Sequence, residues 1–266
     1  MITINPFSQL AESVPPIAIQ IFVIAMIALV IVGTLLDIIH KKNVKYFFEN
    51  AKKAKMSAKK ILTTGEKTSV VLKTLASDIA TTSELGAGKR RAAHLLGMYG
   101  TILFWIASAI MIFCYVKPSS ETPTIWPIIW HIGAIMTVLG GSWFWFFLRV
   151  DVYSEAQPWY RIIKADLFVL ALIASSLFGL IWSFLQSLNL NDRWDDKVFL
   201  VFYIVSNIVL FGGVYWSKFA HMFYKPGAAI QKNLAEADGS RDNLPPPADA
   251  PEQFGLGIKR EEPKHY

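Results

Sequence analysis

The histidines are the side chains best placed for chemistry, because four of the five lie in or beside long apolar runs. His221 stands where the last apolar run gives way to polar sequence, between Lys218 and Lys225, and Pro226 is expected to end the helix there. A neutral imidazole at the rim of a membrane helix can ligate a haem iron. Trp, Tyr and Lys also collect at that level in an ordinary interfacial belt, so both interpretations stay open on these residues alone.

Other patterns that carry catalytic chemistry are missing from the sequence. The single cysteine, Cys114, lies inside an apolar run, which excludes an internal disulfide and any cysteine-ligated iron–sulfur cluster or zinc site. The sequence holds no P-loop, HExxH motif or Ser/His/Asp set. It therefore indicates no substrate chemistry of its own, and any redox role would be that of a non-catalytic electron-transfer subunit.

The composition is that of an integral membrane protein. Hydrophobic residues make up 53% of the 266 residues and charged residues only 17%, whereas a soluble domain carries about 25% charged residues. The apolar residues fall in blocks close to the roughly 20 residues that cross a bilayer. Five such runs predict an all-α integral membrane bundle of five transmembrane helices, at residues 16–39, 95–116, 126–148, 167–188 and 198–216.

A basic segment sets the predicted orientation. Residues 41–93 carry thirteen Lys and Arg against four Asp and Glu. Such positive connections face the cytoplasm, so we expect the N-terminus outside and the C-terminus inside a cytoplasmic membrane. Apolar residues at helical spacing, among them Val70, Val71 and Leu75, predict that the segment is partly helical and lies along the lipid surface. A solvated loop whose charges only set the topology is the alternative.

These features divide the chain into four predicted parts. Residues 1–40 hold the N-terminal segment and the first helix, 41–93 the basic cytoplasmic loop, 94–225 a four-helix transmembrane core, and 226–266 a cytoplasmic tail. The tail is polar and proline-rich, which predicts disorder, although its few apolar residues suit docking to a partner protein. The net charge of +6 follows from the orientation and is not a nucleic-acid signal.

The predicted topology gives each histidine a depth. His40, His94 and His221 all fall at the cytoplasmic rim, whereas His131 lies roughly 7–8 Å below the opposite surface at 1.5 Å per residue. A haem b held between two helices needs two imidazoles at matching depth. His94 and His221 meet that condition, with His40 and His131 as substitutes, but rim histidines are also ordinary members of an interfacial belt. Residues expected near the haem propionates or a quinone are Arg90, Arg91, Lys218, Trp216 and Asp166.

Two stretches resemble a known family. The segment 70–100 contains the motif Arg91-Ala-Ala-His94 at the entry of an apolar run, and 215–221 ends in Ser217-Lys-Phe-Ala-His221. Both resemble the nitrate reductase gamma-subunit-like family of haem b, quinone-interacting membrane anchors, and the resemblance covers about residues 65–230. Within that family the arrangement is most similar to the membrane anchors associated with adenylylsulfate (APS) reductase. Unlike some relatives, this chain has no cysteine-rich iron–sulfur domain, and it has an additional N-terminal span.

The resemblance implies a function. It implies an anchor that passes electrons between the quinone pool and a soluble cytoplasmic redox enzyme, adenylylsulfate reductase, with one haem b as carrier and quinone as substrate. The alternative is a haem-free structural anchor that only recruits a soluble enzyme to the bilayer. A small transporter is disfavoured, because the apolar runs hold few charges and show no inverted repeat.

Overall fold

A computed structural model describes residues 2–85, 88–117, 121–150, 158–188 and 194–240, together with 253–254 and 258–259. The described chain is almost entirely helical, as predicted. Two-residue strands at Gln253–Phe254 and Ile258–Lys259 pair antiparallel. The helices are α1 (Pro6–Leu10), α2 (Pro16–Lys41), α3 (Asn43–Met56), α4 (Thr64–Thr74), α5 (Lys89–Cys114), α6 (Ile125–Trp143), α7 (Leu167–Ser187), α8 (Asp195–Gly212) and α9 (His221–Ala237).

Short π-helical and 3-10 turns extend or join these helices. A π-helical turn, Leu75–Ala80, follows α4, and another, Phe144–Leu148, follows α6. The 3-10 turns are Ser83–Leu85, Lys164–Asp166 and Lys218–Ala220. The last two lead directly into α7 and α9, so these helices begin from a tightened first turn.

Four helical segments among the described residues are long and apolar enough to cross a membrane. They are Pro16–Lys41, Lys89–Cys114, Ile125–Leu148 and Lys164–Ser187, of 24 or 26 residues each. At 1.5 Å per residue such helices exceed the roughly 30 Å of a bilayer's hydrocarbon core. The prediction of a multi-pass membrane protein is therefore confirmed for four of the five apolar runs.

The fifth apolar run forms a shorter helix than predicted. Helix α8 has 18 residues and starts with Asp195, Asp196 and Lys197, which leaves 15 residues for hydrocarbon. It ends at Gly212 because the chain turns at Gly213, whose backbone N–H bonds the carbonyl of Val209. The expectation that this helix continues to residue 216 is wrong, since a pair of glycines stops it while the sequence remains apolar.

The described chain forms two compact units. One, here called the apolar bundle, comprises Met1–Asp37 and Arg90–Ala220. The other, here called the basic unit, comprises Ile38–Lys89 and His221–Tyr266. The basic segment thus folds with the C-terminal segment, although the sequence predicted the two as separate parts.

Glycines let α5 and α6 approach closely in the apolar bundle. An ideal Cβ on Gly140 would lie 2.4 Å from the backbone N of Gly97, and one on Gly100 would lie 2.6 Å from the backbone N of Thr137. No side chain fits at either position. Small residues serve this purpose between membrane helices, where van der Waals packing rather than hydrophobic burial holds helices together.

Aromatic side chains fill the bundle's core. Trp130 and Trp182 are fully buried, and Phe7 of α1 meets Trp130 edge-on with ring centroids 5.9 Å apart. Asn5 caps α1 by accepting from the backbone N–H of Phe7, and its amide donates to the carbonyl of Tyr115 at 3.0 Å. The segment before the first span is therefore packed into the bundle.

The basic unit is built from α3, α4 and α9. Thr63 and Glu66 form a capping box that starts α4. Just before this capping box, the backbone N–H groups of Lys59 and Lys60 both donate to the carbonyl of Asp238, which follows α9, at 2.9 and 3.1 Å. These contacts hold the end of α9 against the segment between α3 and α4.

Helix α9 corrects two expectations about the C-terminal region. Pro226 lies inside the helix and does not end it, because losing one backbone donor near the N-terminal end is tolerated when the helix packs elsewhere. Disorder from residue 226 onward is also wrong for the stretch up to Ala237, which is helical. The predicted tail at 241–252, 255–257 and 260–266 lies outside the described residues.

Candidate functional site

His131 is a buried histidine whose two ring nitrogens are both engaged. It lies on α6 with 1% of its surface exposed. Nδ1 lies 2.7 Å from the carbonyl of Pro127, and Nε2 lies 2.9 Å from the hydroxyl of Ser183 on α7. Because a carbonyl only accepts, Nδ1 carries the proton and Nε2 accepts from the serine. The imidazole joins α6 to α7, and the prediction of His131 as a substitute haem ligand stays a prediction.

A second polar link crosses the bundle through Ser108 on α5. The indole of Trp130 donates to its hydroxyl at 2.9 Å, and the phenol of Tyr203 on α8 also hydrogen-bonds to it. The hydroxyl in turn donates to the carbonyl of Phe104 at 2.7 Å. One serine thus connects three helices, so α8 belongs to the same polar framework as α5 and α6.

A fully buried ion pair closes the connection between α6 and α7. Arg149 and Asp166 have side chains that are 0% and 5% exposed, and their Nη2 and Oδ2 atoms lie 2.6 Å apart. The guanidinium also donates to the carbonyls of Pro158 and Arg161, at 2.8 and 2.6 Å, and lies 4.2 Å from the ring of Trp145. One guanidinium therefore bonds a carboxylate and two backbone carbonyls of this connection, as the several donors of arginine allow.

Asp166 is held by a second donor besides Arg149. The same Oδ2 atom that pairs with Arg149 accepts from the backbone N–H of Ile163 at 3.0 Å. The carboxylate of Asp166 is thus tied both to Arg149 and to the backbone just before α7. One signal for the pair is visible in the sequence, namely opposite charges at the facing ends of two successive apolar runs.

The remaining predicted site residues divide between the two units. Arg90, Arg91 and His94 lie in the first two turns of α5 in the apolar bundle, with the arginines half-buried and the histidine exposed. Trp216 and Lys218 are exposed in the same unit, after α8 has ended. His40 and His221 are exposed and belong to the basic unit.

His221 does not stand where the sequence predicted. It was expected to close the fifth apolar helix, but α8 ends at Gly212 and His221 is the first residue of α9. In the segment between α8 and α9, Phe219 is buried. It is 2% exposed and stacks on Trp105 with ring centroids 6.1 Å apart. A depth assigned by continuing α8 therefore does not apply to His221.

Asp78 is the polar centre of the basic unit. Its carboxylate accepts from the hydroxyls of Ser83 and Ser77, at 2.6 and 2.8 Å, and from the amide of Asn233 on α9, at 2.6 Å. These hydrogen bonds, with that from Ser83 largest, lower the pKa of Asp78 below its ordinary value. The carboxylate is thus ionised at neutral pH and ties α9 to the π-helical turn after α4.

Glu66 is stabilised in its charged form by its neighbours. A hydrogen bond from Lys60, followed by the backbone and hydroxyl donors of Thr63, lowers the pKa of Glu66 to about 2.

Across the described parts of the chain, no group of three or more His, Cys, Asp or Glu side chains is placed to hold a metal ion.

No family model matches the chain, and no match is found among curated proteins or solved structures. The resemblance to the nitrate reductase gamma-subunit-like family stays a prediction based on its two motifs.

Proposed function

We propose that the chain is a membrane-anchor subunit that passes electrons between the quinone pool and a soluble cytoplasmic redox enzyme, of which adenylylsulfate reductase is the candidate. The observation that carries the proposal is the Arg91-Ala-Ala-His94 motif in the first two turns of a membrane-spanning helix. That position supplies an exposed imidazole beside two arginines at the end of an apolar helix. This motif is one of the two on which the family resemblance rests.

The proposed cofactor is one haem b, with His94 and His221 as axial ligands and His40 as the substitute for the second. A bound haem b supplies a one-electron carrier at the membrane rim. Arg90, Arg91 and Lys218 are cations suited to the propionates, and Trp216 is a hydrogen-bond donor suited to a quinone carbonyl. His131 takes no part, because protein groups engage both its ring nitrogens.

The proposal includes α8 as a fifth membrane span, and the support is an argument from parity. Helix α9 packs within the basic unit, where Asn233 donates to Thr74 at 2.8 Å and to Asp78. Residues 74 and 233 therefore lie on one side of the membrane, and the chain between them must cross it an even number of times. Helices α5, α6 and α7 account for three crossings, so α8 is required as the fourth.

The same packing supports the proposed orientation of the termini. Five spans place the N-terminus opposite the basic unit and the C-terminal helix. The lysines of residues 41–60, eight against one glutamate, favour the cytoplasm for that unit. This gives an N-terminus outside and a C-terminus in the cytoplasm.

A haem-free structural anchor is the second candidate. The observation that favours it is the start of α9 at His221, since the histidine does not close a membrane helix as the family pattern implies. In that case the basic unit recruits the soluble enzyme and no electron passes through the chain.

The visible absorption spectrum of the purified full-length protein separates the two candidates. A b-type Soret band that sharpens on reduction is expected, with loss of the band in His94→Ala and in His221→Ala. His131→Gln is the control and should keep the band. A protein purified from haem-replete cells without any Soret band would leave the structural anchor as the function, and a band that needs His40 but not His221 would reassign the second ligand.

A further inference from the structure

Helix α3 presents a narrow stripe of cations with an aromatic side chain among them. Lys45, Phe48, Lys52 and Lys55 are spaced by three, four and three residues, which places them within an arc of about 80° on the helix. All are exposed, and Phe48 is 64% exposed. One acid lies beside the stripe, Glu49, 3.7 Å from the amine of Lys45.

The half-buried face of α3 adjoins this stripe, with its centre about 100° away around the helix. Val44, Phe47, Ala51 and Ala54 are half-buried at helical spacing, and α3 contacts α9 within the basic unit. The cationic stripe, defined by Lys45, Phe48, Lys52 and Lys55, therefore flanks the half-buried face and stays exposed. Met56, the last residue of α3, and Ile61 beyond it add apolar side chains that are 83% and 93% exposed.

The chain itself places α3 beside the bilayer. Helix α2 is a membrane span that ends at Lys41, and α3 begins at Asn43. The residue between them, Lys42, adopts a left-handed conformation with φ of 54°, which breaks the helix within a single residue. The first turn of α3 thus lies within a few ångströms of the level where hydrocarbon gives way to headgroups.

We propose that the cationic stripe of α3 binds the anionic headgroups of the membrane leaflet from which α2 emerges. A lipid surface suits the stripe better than an acidic protein. It offers phosphates to the lysines and, immediately below them, hydrocarbon to Phe48 and Met56, as amphipathic interfacial helices require. Each lysine near such a surface favours the bound state by roughly fivefold. This inference rests on the membrane spans and not on the redox function.

The test uses the full-length chain in nanodiscs, with a nitroxide label at Met56→Cys in a Cys114→Ser background. One set of discs contains only phosphatidylcholine, and the other contains equimolar phosphatidylcholine and phosphatidylglycerol. Collisions of the label with oxygen and with a polar nickel complex report whether it lies in lipid or in water. We expect the oxygen-to-nickel collision ratio to rise severalfold in the phosphatidylglycerol discs.

Two matched variants assign the effect to the stripe. Lys45→Glu/Lys52→Glu/Lys55→Glu should lower the ratio to its value in phosphatidylcholine discs. Lys53→Glu/Lys67→Glu/Lys73→Glu makes the same change of charge at exposed lysines off the stripe, and it should keep the ratio high. Phe48→Ser, which leaves the charge unchanged, should lower the ratio in part, so that the test does not depend on a charge-reversed protein folding normally.

Three results would overturn the proposal. The first is a label that stays accessible to nickel in both kinds of disc. The second is an equal loss in the two triple variants, which would reflect net charge alone. The third is protection that needs a soluble acidic protein and does not depend on phosphatidylglycerol, which would make the stripe a protein-docking surface.

Discussion

Arg149 illustrates how a single residue organises a connection at the end of two membrane helices. Its guanidinium satisfies one carboxylate and two backbone carbonyls at once, and the side chain is fully buried. Burying such a pair costs a large desolvation free energy, which its own hydrogen bonds offset. Removing one partner leaves the other charge buried and unpaired, so breaking the pair costs far more stability than replacing both partners by apolar side chains.

Arg149→Met should lower the free energy of unfolding by about 3–5 kcal/mol, because Asp166 is left as an uncompensated buried charge. Arg149→Met/Asp166→Leu should recover most of that loss. Arg149→Lys should recover little, since one ammonium cannot reach three acceptors as the planar guanidinium does. Unfolding in mixed detergent micelles measures all three variants. A double variant as unstable as Arg149→Met would show that the carbonyl contacts, and not the ion pair, hold this connection.

The carboxylate of Asp78 makes a second prediction at the scale of a residue. Its pKa lies below the ordinary value of an aspartate, because three donors, with Ser83 first, stabilise the charged form. A group with a depressed pKa contributes stability above its unfolded pKa and loses it as the pH falls through the folded value. The contact between α9 and the π-helical turn should therefore be constant from neutral pH down to about pH 4 and weaken only below that.

Hydrogen exchange in α9, measured by mass spectrometry across that pH range and corrected for intrinsic rates, tests the pH dependence. Asp78→Asn is the control, since it keeps the shape and removes the titration. Faster exchange between pH 7 and pH 5 in the natural chain alone would contradict the assigned pKa direction.

At the scale of the helix, the glycines divide into two groups with opposite predicted effects. Gly140 faces the backbone of α5, where a Cβ would overlap the N of Gly97. Gly227 lies in α9 with nothing within 4 Å of an added Cβ. Gly140→Ala should therefore destabilise the protein by about 1–3 kcal/mol through overpacking, whereas Gly227→Ala should stabilise α9 by about 0.5–1 kcal/mol.

Thermal unfolding of the two variants in one detergent compares them directly, and both replace glycine by alanine within a helix. Gly65, at the start of α4, also has open space around it and gives a second control. Equal stability of Gly140→Ala and the natural chain would show that α5 and α6 can separate without cost.

The sequence was sufficient to predict the long helices and insufficient for their ends. Hydrophobic runs of membrane length predict α2, α5, α6 and α7, because a lipid-facing backbone must bond within its own helix. They could not place the end of α8. The apolar residues continue through Val214 and Trp216, and only the backbone of Gly213 marks the turn. Hydropathy records side-chain chemistry and does not register such a turn.

The part of α9 after Pro226 was missed because the local sequence signals point away from a helix. Pro226 and Gly227 are local signals for the end of a helix, and they predicted disorder beyond. Tertiary contacts reverse that preference, since Asn233 and the carbonyl of Asp238 bond to residues more than 150 positions earlier in the chain. Prediction of the candidate site depended in the same way on where the helices end. The motif at His94 lies on a well-predicted helix, whereas the placement of His221 depended on the helix end that was wrong.

At the scale of the whole molecule, the fold of the basic unit constrains the membrane topology. Segments before α5 and after α8 pack together, through the bond from Asn233 to Thr74 and those from Lys59 and Lys60 to Asp238. A packed unit cannot be divided by a bilayer. The proposed fifth span, α8, rests on this packing, because it makes the number of crossings between the two segments even.

Cysteine labelling in intact cells tests this arrangement. In a Cys114→Ser background, Ser57→Cys and Ala228→Cys place one exposed thiol in each segment of the basic unit, and Thr124→Cys places one before α6. A membrane-impermeant maleimide should label Thr124→Cys in intact cells and should label the other two only after permeabilisation. If Ser57→Cys and Ala228→Cys react from opposite sides, α8 does not cross and the proposed fifth span is wrong. If both react in intact cells, the five crossings stand but the orientation inferred from the lysines is reversed, because the even count depends on the packing of the unit and not on the side it faces.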